Sequence, residues 1–405
     1  MSLDWKLKTN IFLNKTIIAF LYLFAFGLFT SIKLTSNCLD FIIPLGIIQM
    51  IIMKHNPLKK IGDQKLNLPI IFFSFALFVS FVSHPSVDAF SSLKGHLIIF
   101  LFFYISILNL YSLKQVKTLI ILASVSMGIA ALIGAYQYFI LKLPRIDGGL
   151  FELSFGCYLA ISILFLLTYG LFGKFKPVYR LATIPGITFL GLDLLFTQAR
   201  GAWLGLLGGT LILSWLKNKK LIAPLLLICL FLYLFLPQIY IDRFNSIFDT
   251  KTNNSNLTRI AIWKGALEMY RDYPLSGVGL GRFREEYHTN YKQSYPVDKR
   301  HRHAHNNPLH YMAESGTLGL LAFLWIMLTI IILLYKNHLR ITDLNWSLFP
   351  LASLCSVVIF NIQGLTDVNY GGIRSGDARR FFWFIIILNM VIANIYKKDL
   401  KPKKV

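Results

Sequence analysis

The sequence predicts an all-α, polytopic membrane protein with about 12 transmembrane helices and one large loop outside the bilayer. Of its 405 residues, 55% are hydrophobic and only 15% are charged, whereas about a quarter of a typical soluble domain is charged. Long apolar stretches recur between residues 16 and 396, and many approach the ~20 residues that a helix needs to cross a bilayer. One polar stretch, residues 238–307, separates nine of these stretches from the last three.

The twelve apolar stretches divide the chain into three parts. Residues 1–237 hold predicted transmembrane helices 1 to 9. Residues 238–307 form the loop, which we expect to contain short amphipathic helices, and residues 308–405 hold transmembrane helices 10 to 12 and a basic tail. The predicted spans are residues 16–32, 37–53, 68–83, 95–112, 118–141, 149–172, 181–198, 201–216, 221–237, 308–335, 345–364 and 381–396.

The short turns between these spans orient the chain in the membrane. Turns on the same side as the two termini are rich in lysine, whereas the short turns on the opposite side hold only Lys33, Lys94, Lys142, Arg145 and Arg200. Short basic turns remain in the cytoplasm. We therefore expect both termini in the cytoplasm and the large loop on the other side of the membrane.

The arginines suggest an anionic ligand on the loop side. By this topology 12 of the 14 arginines lie there, and the loop itself holds eleven basic residues against seven carboxylates. Guanidinium groups match the geometry of phosphate and carboxylate oxygens. The alternative is that the arginines pair with loop carboxylates, but a surplus of positive charge then remains. Although the net charge is +22, its distribution around a membrane argues against nucleic acid as a partner.

A histidine cluster lies at the end of the loop. His305 is followed by Asn306, Asn307 and Pro308, and asparagine and proline favour the first positions of a helix. At the positive end of that helix the imidazole of His305 tends to stay neutral, as a general base must be. The alternative is that His305 only ties the loop to the helix. Five of the nine histidines share this region: His288, His301, His303, His305 and His310.

The alternating residues His301, His303 and His305 could also bind zinc. Arg300 and Arg302 are interleaved with them, however, and a dication there would be repelled. We therefore predict no metal and no cofactor.

Two arginines are candidates for binding an anion. Arg200 lies at the membrane edge, where a charge is usually partnered or functional, although it could simply extend its charged end to the interface. Arg259 shares one face of a predicted helix with Trp263 and Tyr270, and Asn256 is the expected cap of that helix. That helix could instead lie on the membrane surface as an amphipathic segment.

Glycines punctuate the same region. Gly277, Gly279 and Gly281 predict a tight turn, and they lack the strand and helix context of a nucleotide-binding loop. Gly316 and Gly319 lie within predicted helix 10, where we expect them to allow close helix packing.

Four further charged residues are weaker candidates. Glu314 lies nearly two turns into predicted helix 10, where a carboxylate is either functional or paired with a cation of the loop. Arg374, Arg379 and Arg380 precede the last helix on the loop side and could bind phosphate groups of a substrate.

Together these segments resemble the O-antigen ligase and polymerase superfamily of bacterial membrane glycosyltransferases. The ligases carry a His-Asn pair, nine residues and Gly-x-x-Gly, which here begins at His305 and ends with Gly316 and Gly319. The segment TQARGAWLG is similar to the arginine-glycine motif of the family, and RIAIWKGAL followed by PLSGVGLGRF is similar to its loop signature. The resemblance covers about residues 195–320.

The resemblance implies a GT-C-type fold and a reaction without a metal ion. It also implies two arginines near a lipid diphosphate and one essential histidine, roles that fall on Arg200, Arg259 and His305. His303 and His301 are second-line candidates for the catalytic role. The implied partners are an undecaprenyl-diphosphate-linked glycan donor, a lipid A–core acceptor and membrane lipids.

The sequence therefore predicts an O-antigen ligase of the bacterial inner membrane with a periplasmic active site and an inverting mechanism. An O-antigen polymerase or a protein O-oligosaccharyltransferase would share the donor and the topology, and the sequence does not separate these three. A transporter of lipid-linked sugars is the alternative from another class, although few acidic residues lie within the spans.

Overall fold

The computed structural model describes residues 3–54, 64–295, 297, 301–370 and 376–399. In these ranges the chain forms helices and connecting segments, with no β-strand, and a helix occupies each of the twelve predicted spans. Nine helical spans of the described chain are long and apolar enough to cross a membrane, or ten if a helix pair bent by 117° is one span. The prediction of an all-α polytopic membrane protein is thus confirmed.

Sixteen α-helices follow one another in the described ranges, and we number them in chain order. They are α1 Leu3–Gly27, α2 Ile32–Met53, α3 Asn67–Ser83, α4 Val87–Asn109, α5 Leu113–Phe139, α6 Glu152–Phe172, α7 Pro177–Leu181, α8 Thr183–Phe196, α9 Arg200–Lys217, α10 Ile222–Phe235, α11 Gln238–Asn245, α12 Asn254–Asp272, α13 Phe283–Glu286, α14 Asn307–Arg340, α15 Leu344–Gln363 and α16 Gly376–Asp399.

Three of the predicted spans form helices that are not among the nine candidate membrane spans. The helix α3 has only 17 residues, α9 begins with a charged arginine, and α10 is followed by the 117° bend that leads into α11. No residue of α10 is buried. An apolar helix that is exposed all round faces lipid in a membrane protein, so α10 stands at the edge of the bundle.

Serine side chains begin several membrane helices. Ser31, Ser86 and Ser112 precede α2, α4 and α5, and each side-chain oxygen accepts a hydrogen bond from the amide three residues ahead, at 3.0–3.3 Å. The side chain of Gln115 accepts a bond from the amide of Ser112 in return, which completes a capping box. These caps satisfy amides that the first turn of a helix leaves without partners.

The last helix runs through the centre of the bundle. Trp383 of α16 is fully buried, and the rings of Phe100 and Phe103 contact it edge-on with centroids 5.3 and 5.1 Å away. Its indole N–H donates to the hydroxyl of Tyr370 at 2.8 Å. Tyr370 thereby anchors the segment that joins α15 to α16, and this segment contributes to the site described below.

The long helix α14 is broken at Gly316. This residue has φ 62° and ψ −157°, a conformation that is essentially restricted to glycine. The carbonyls of Ala313 and Glu314 instead accept hydrogen bonds from the amides of Val278 and Gly279, at 2.9 and 3.2 Å. The expectation that Gly316 serves close helix packing is therefore wrong, because this glycine allows the helix to open and receive another segment of backbone.

The inserted segment is the glycine-rich turn of the loop. Gly277, Gly279 and Gly281 all have positive φ angles, of 69°, 106° and 72°, which confirms the predicted turn. A side chain at Gly277 would overlap the backbone of Glu314. Thr317, just beyond the break, donates its amide hydrogen to the carbonyl of Pro274 at 2.8 Å. The turn and the broken helix thus form one unit.

Gly319 has a different neighbourhood from the one predicted. A Cβ at this position would meet Ser315 and the carbonyl of Tyr311, which both belong to α14 itself. The absence of a side chain at Gly319 therefore leaves room for the residues of α14 just before the break. The nearest neighbours include no residue of another helix, contrary to the expectation.

Replacing Gly316 by alanine tests whether the break holds the turn. We expect Gly316→Ala to lower the free energy of unfolding by about 1–3 kcal/mol, because the new side chain must adopt a positive φ and would overlap the backbone of Leu275. Thermal unfolding of the detergent-solubilised protein measures this change. Gly128→Ala in α5 is the matched control, since a Cβ there meets open space. Equal stability of the two variants would contradict the role of Gly316.

Candidate active site

The candidate site lies where the loop meets one end of the helix bundle, which we call the loop end. The starts of α9 and α14 and the end of α15 lie at this end, together with α11 and α12 from the loop. A cavity of about 230 Å³ opens there. Its polar lining consists of Gln198, Arg200, Arg243, Thr250, Asn256, Arg259, Gln363, Thr366 and Asp367.

Arg200, at the start of α9, is buried and held by the loop. Its Nη1 donates to the carbonyl and the hydroxyl of Ser246, each at 2.8 Å, and its Nη2 donates to the side-chain oxygen of Asn256 at 3.1 Å. The side chain lies inside the protein with 7% of its surface exposed, so it does not simply reach the membrane interface. Arg200 supplies charge to the cavity and at the same time fixes the loop on α9.

Asn256 does not cap α12 as expected. The cap is Asn253, whose side chain accepts the amide hydrogen of Asn256 at 3.2 Å. The side-chain amide of Asn256 instead donates to the carbonyls of Ser246 and Asp249, at 2.7 and 2.8 Å. It therefore positions both Arg200 and the segment between α11 and α12.

Arg259 also lines the cavity, but it is held differently. No hydrogen bond joins its guanidinium to any residue in the described part of the chain, although the side chain is largely buried. Burial lowers the pKa of Arg259, while the carboxylate of Asp367 raises it and Arg145 lowers it further. A buried arginine without a hydrogen-bond partner is unfavourable unless an anion binds beside it. Trp263, one turn along the same face, also lines the cavity.

His305 lies beside this cavity and contacts one of its lining residues. Its Nδ1 is 3.3 Å from Oδ1 of Asp367, and Asp367 lines the cavity with the arginines. Burial raises the pKa of Asp367, but the hydrogen bond with His305 and the nearby imidazoles outweigh burial and hold the pKa below its ordinary value. An ionised Asp367 accepts the Nδ1 proton of His305, which leaves Nε2 with the lone pair of a base.

Two asparagines hold His305 against Asp367. Asn306 caps α14 by accepting the amide hydrogen of Leu309 at 3.0 Å, and its side-chain amide donates to the carbonyl of Leu365 at 3.1 Å. The backbone amide of Asn307 donates to the carbonyl of Gly364 at 2.7 Å. The predicted cap is confirmed, and these bonds attach the start of α14 to the segment that carries Asp367.

The other two histidines of the triplet pack against His305. Nδ1 of His301 is 3.2 Å from Nε2 of His305, and the rings of His303 and His305 have centroids 4.3 Å apart. Burial lowers the pKa of His303 to about 3, with a further contribution from the neighbouring His305. His303 is therefore neutral at pH 7 and is a weaker base than an ordinary imidazole.

His303, His305 and Asp367 could also hold a metal ion, since their ligand atoms all lie within 4.8 Å of one another. The sequence predicts no metal ion here. The arginines that share the cavity with Asp367 oppose a dication, which agrees with that prediction.

Glu314 lies below the site and away from the cavity. Its carboxylate accepts the amide hydrogens of Gly281 and Phe283, at 2.9 and 3.2 Å, and lies 3.6 Å from Nε2 of buried His310. No ion pair of Glu314 with a lysine or arginine occurs among the described residues, so the expected loop cation is replaced by two backbone amides. Glu314 holds the glycine-rich turn in place.

Arg379 and Arg380 lie in the first turns of α16, not before it as expected, and neither is among the residues that line the cavity. Arg379 is buried and donates to Nε2 of His96 at 2.8 Å. Arg380 donates to the hydroxyls of Thr35 and Ser36, at 2.9 and 2.8 Å. Both join helices inside the bundle. Arg374 lies outside the described residues.

Sequence reasoning missed Arg243 and Asp367. Asp367 follows the end of predicted span 345–364 by three residues, and its position on the loop side was a usable signal. Arg243 was one of eleven basic residues in the loop, and no motif distinguished it. Only the three-dimensional arrangement selects it.

Comparison with known protein families finds a match for this region. Residues 185–324 match the family model described as O-Antigen ligase. This match covers about a third of the chain and supports an assignment to the O-antigen ligase superfamily. A comparison with curated proteins finds no match. Within the superfamily segment lie Arg200, Arg259 and His305, whereas Asp367 reaches the site from outside it.

The low pKa of His303 predicts that acid destabilises the protein. An unfolded chain binds a proton at His303 below about pH 6.5, but the folded chain does so only near pH 3. Stability from neutral His303 is therefore complete above pH 6.5 and lost as the pH falls towards 3. Thermal unfolding at pH 7.5 and pH 5 should show a smaller decrease for His303→Asn than for the original protein. An unchanged decrease would contradict the burial of a neutral ring.

Proposed function

We propose that the protein is an O-antigen ligase, which transfers a glycan from undecaprenyl diphosphate to a sugar hydroxyl of lipid A–core. The family match over residues 185–324 supports a membrane glycosyltransferase of the ligase and polymerase type in general. The finer assignment rests on the motif that joins His305 to Gly316 and Gly319, which is typical of the ligases.

One observation carries the chemistry. Asp367 lines the arginine cavity and also contacts Nδ1 of His305, so an anion site and a candidate base share one side chain. The carboxylate orients the imidazole. The arginines supply positive charge at the place where the leaving group would lie.

In the proposed reaction the lipid diphosphate of the donor binds near Arg259 and Arg200. Nε2 of His305 takes the proton of the acceptor hydroxyl, and the hydroxyl oxygen attacks the anomeric carbon. The bond from this carbon to the phosphate oxygen breaks, and its electron pair stays on the diphosphate. Direct displacement inverts the anomeric centre. In the structure Nε2 of His305 lies 3.2 Å from Nδ1 of His301. The acceptor hydroxyl would therefore displace the ring of His301 to reach Nε2.

The proposed setting is the bacterial inner membrane, with both termini in the cytoplasm and the loop end facing the periplasm. Lysine-rich turns support this orientation. In that setting a lipid-linked donor and a lipid-anchored acceptor both reach the cavity from the outer leaflet.

Reconstitution of the purified protein with undecaprenyl-diphosphate glycan tests the proposal. Lipid A–core, a second lipid-linked glycan and a serine-containing protein are supplied as separate acceptors. Glycosylated lipid A–core supports a ligase, whereas product on the second glycan or on the protein identifies a polymerase or a protein O-oligosaccharyltransferase. No new glycosidic bond with any acceptor would contradict the glycosyltransferase assignment and favour a transporter.

Replacing His305 tests the base. We expect His305→Ala to lower kcat by about 10²–10⁴-fold without unfolding the protein, because a general base typically contributes that factor. Asp367→Asn should lower kcat as well, since an amide can donate to Nδ1 and favour the tautomer with its proton on Nε2. His338→Ala, at the opposite end of α14, is the control and should leave kcat unchanged. Full activity of His305→Ala would rule out this mechanism.

Chelation tests the prediction of a reaction without a metal ion. We expect the transfer rate to be unchanged after dialysis against EDTA, because arginines rather than a dication neutralise the diphosphate. Loss of activity that zinc or magnesium restores would instead assign a metal to His303, His305 and Asp367.

A further inference from the structure

We infer that Arg243 is a further residue that binds the lipid diphosphate, and that its contribution is largest once the glycan has left. This inference rests on the proposed function and concerns the same cavity. It adds a residue that no motif of the sequence identifies.

The position of Arg243 is fixed by the backbone of its neighbours. It lies in α11, and its Nε donates to the carbonyl of Gln198 at 3.2 Å. Gln198 has a positive φ of 52° in the segment that leads into α9. The bond holds the guanidinium at the cavity wall, so little side-chain freedom remains to be lost when a ligand binds.

The outer end of the guanidinium is available to a ligand. Neither Nη1 nor Nη2 of Arg243 has a hydrogen-bond partner within the described ranges, and the residue lines the cavity. Arg200 differs, because its two terminal nitrogens already donate to Ser246 and Asn256. The cavity therefore offers two guanidinium groups that can still donate hydrogen bonds to a ligand, those of Arg243 and Arg259. The terminal nitrogens of Arg200 already donate to residues of the protein.

The charges around the cavity also favour an anion. Arg200, Arg243 and Arg259 line it, whereas Asp367 is the single carboxylate among the lining residues. Burial lowers the pKa of Arg243, and the nearby Arg145 and Arg259 lower it further. The arginines thus repel one another until a ligand with several negative charges binds between them.

The chemistry of the leaving group matches this excess of charge. A diphosphate that links a lipid to a sugar carries two negative charges. When the bond to the anomeric carbon breaks, the electron pair that remains on the terminal oxygen adds a third. Three lining arginines fit the product better than the donor, and an interaction that strengthens as this charge develops accelerates the reaction.

Binding of farnesyl diphosphate by the full-length protein in detergent tests the inference. This probe carries a free terminal diphosphate, as the leaving group does, and farnesyl monophosphate is measured beside it by calorimetry. We expect Arg243→Gln to weaken binding of the diphosphate by about ten- to hundredfold, as expected for a lost hydrogen-bonded charge pair. Arg271→Gln is the matched control, because Arg271 lies on α12 outside the cavity lining and its side chain is exposed.

The outcomes separate this inference from the proposed function. Wild-type affinity in Arg243→Gln overturns the role of Arg243 and leaves the proposed function intact. If the original protein binds the diphosphate no better than the monophosphate, the proposed diphosphate site itself is wrong. Arg243→Lys keeps a positive charge but loses the planar fork, and it should also weaken diphosphate binding if Arg243→Gln proves unstable.

Discussion

The opening of α14 at Gly316 is the constraint on which the site depends. Because the helix gives up its regular hydrogen bonds there, the carbonyls of Ala313 and Glu314 are free to accept amides of the glycine-rich turn. That turn directly follows α12, which carries Arg259. His305 stands at the other end of the first segment of α14. One backbone junction thus sets the distance between the base and an arginine of the cavity.

A second junction completes the arrangement. The asparagines at the start of α14 bind the segment after α15, and Tyr370 anchors this segment to Trp383 in the centre of the bundle. Asp367 is therefore placed by the bundle, while Arg200 and Arg243 are placed by contacts between α9 and the loop. The site combines residues from distant parts of the chain. Backbone carbonyls accept several of the hydrogen bonds that hold its segments together, and side-chain pairs such as His305 with Asp367 supply others.

The sequence predicted the fold well because long apolar stretches report directly on helices that cross a membrane. Each of the twelve predicted spans coincides with a helix. The first helix begins earlier than expected, at Leu3, because its polar first turns are helical although they are not apolar. Hydropathy identifies the part of a helix that contacts lipid. The helix itself can extend beyond that part where its residues favour helix formation.

The site was predictable only where chemistry and local spacing coincide. The residues that follow His305 indicate the start of a helix, so the position of His305 at that helix end could be deduced. Asp367 approaches His305 from 62 residues away, a contact that no local pattern encodes. The break at Gly316 was likewise hidden, since a glycine within an apolar stretch has the same appearance whether it allows helix contact or interrupts the helix. Long-range backbone pairing decided both cases.

His305 itself has a backbone that suits another residue type. Its φ of 50° lies in the left-handed region, which disfavours residues with a side chain by roughly 1–2 kcal/mol. A glycine would adopt this conformation without strain, yet the chain has an imidazole there. In this conformation Nδ1 of the ring lies 3.3 Å from Oδ1 of Asp367. Backbone strain at His305 thus accompanies a fixed orientation of its imidazole.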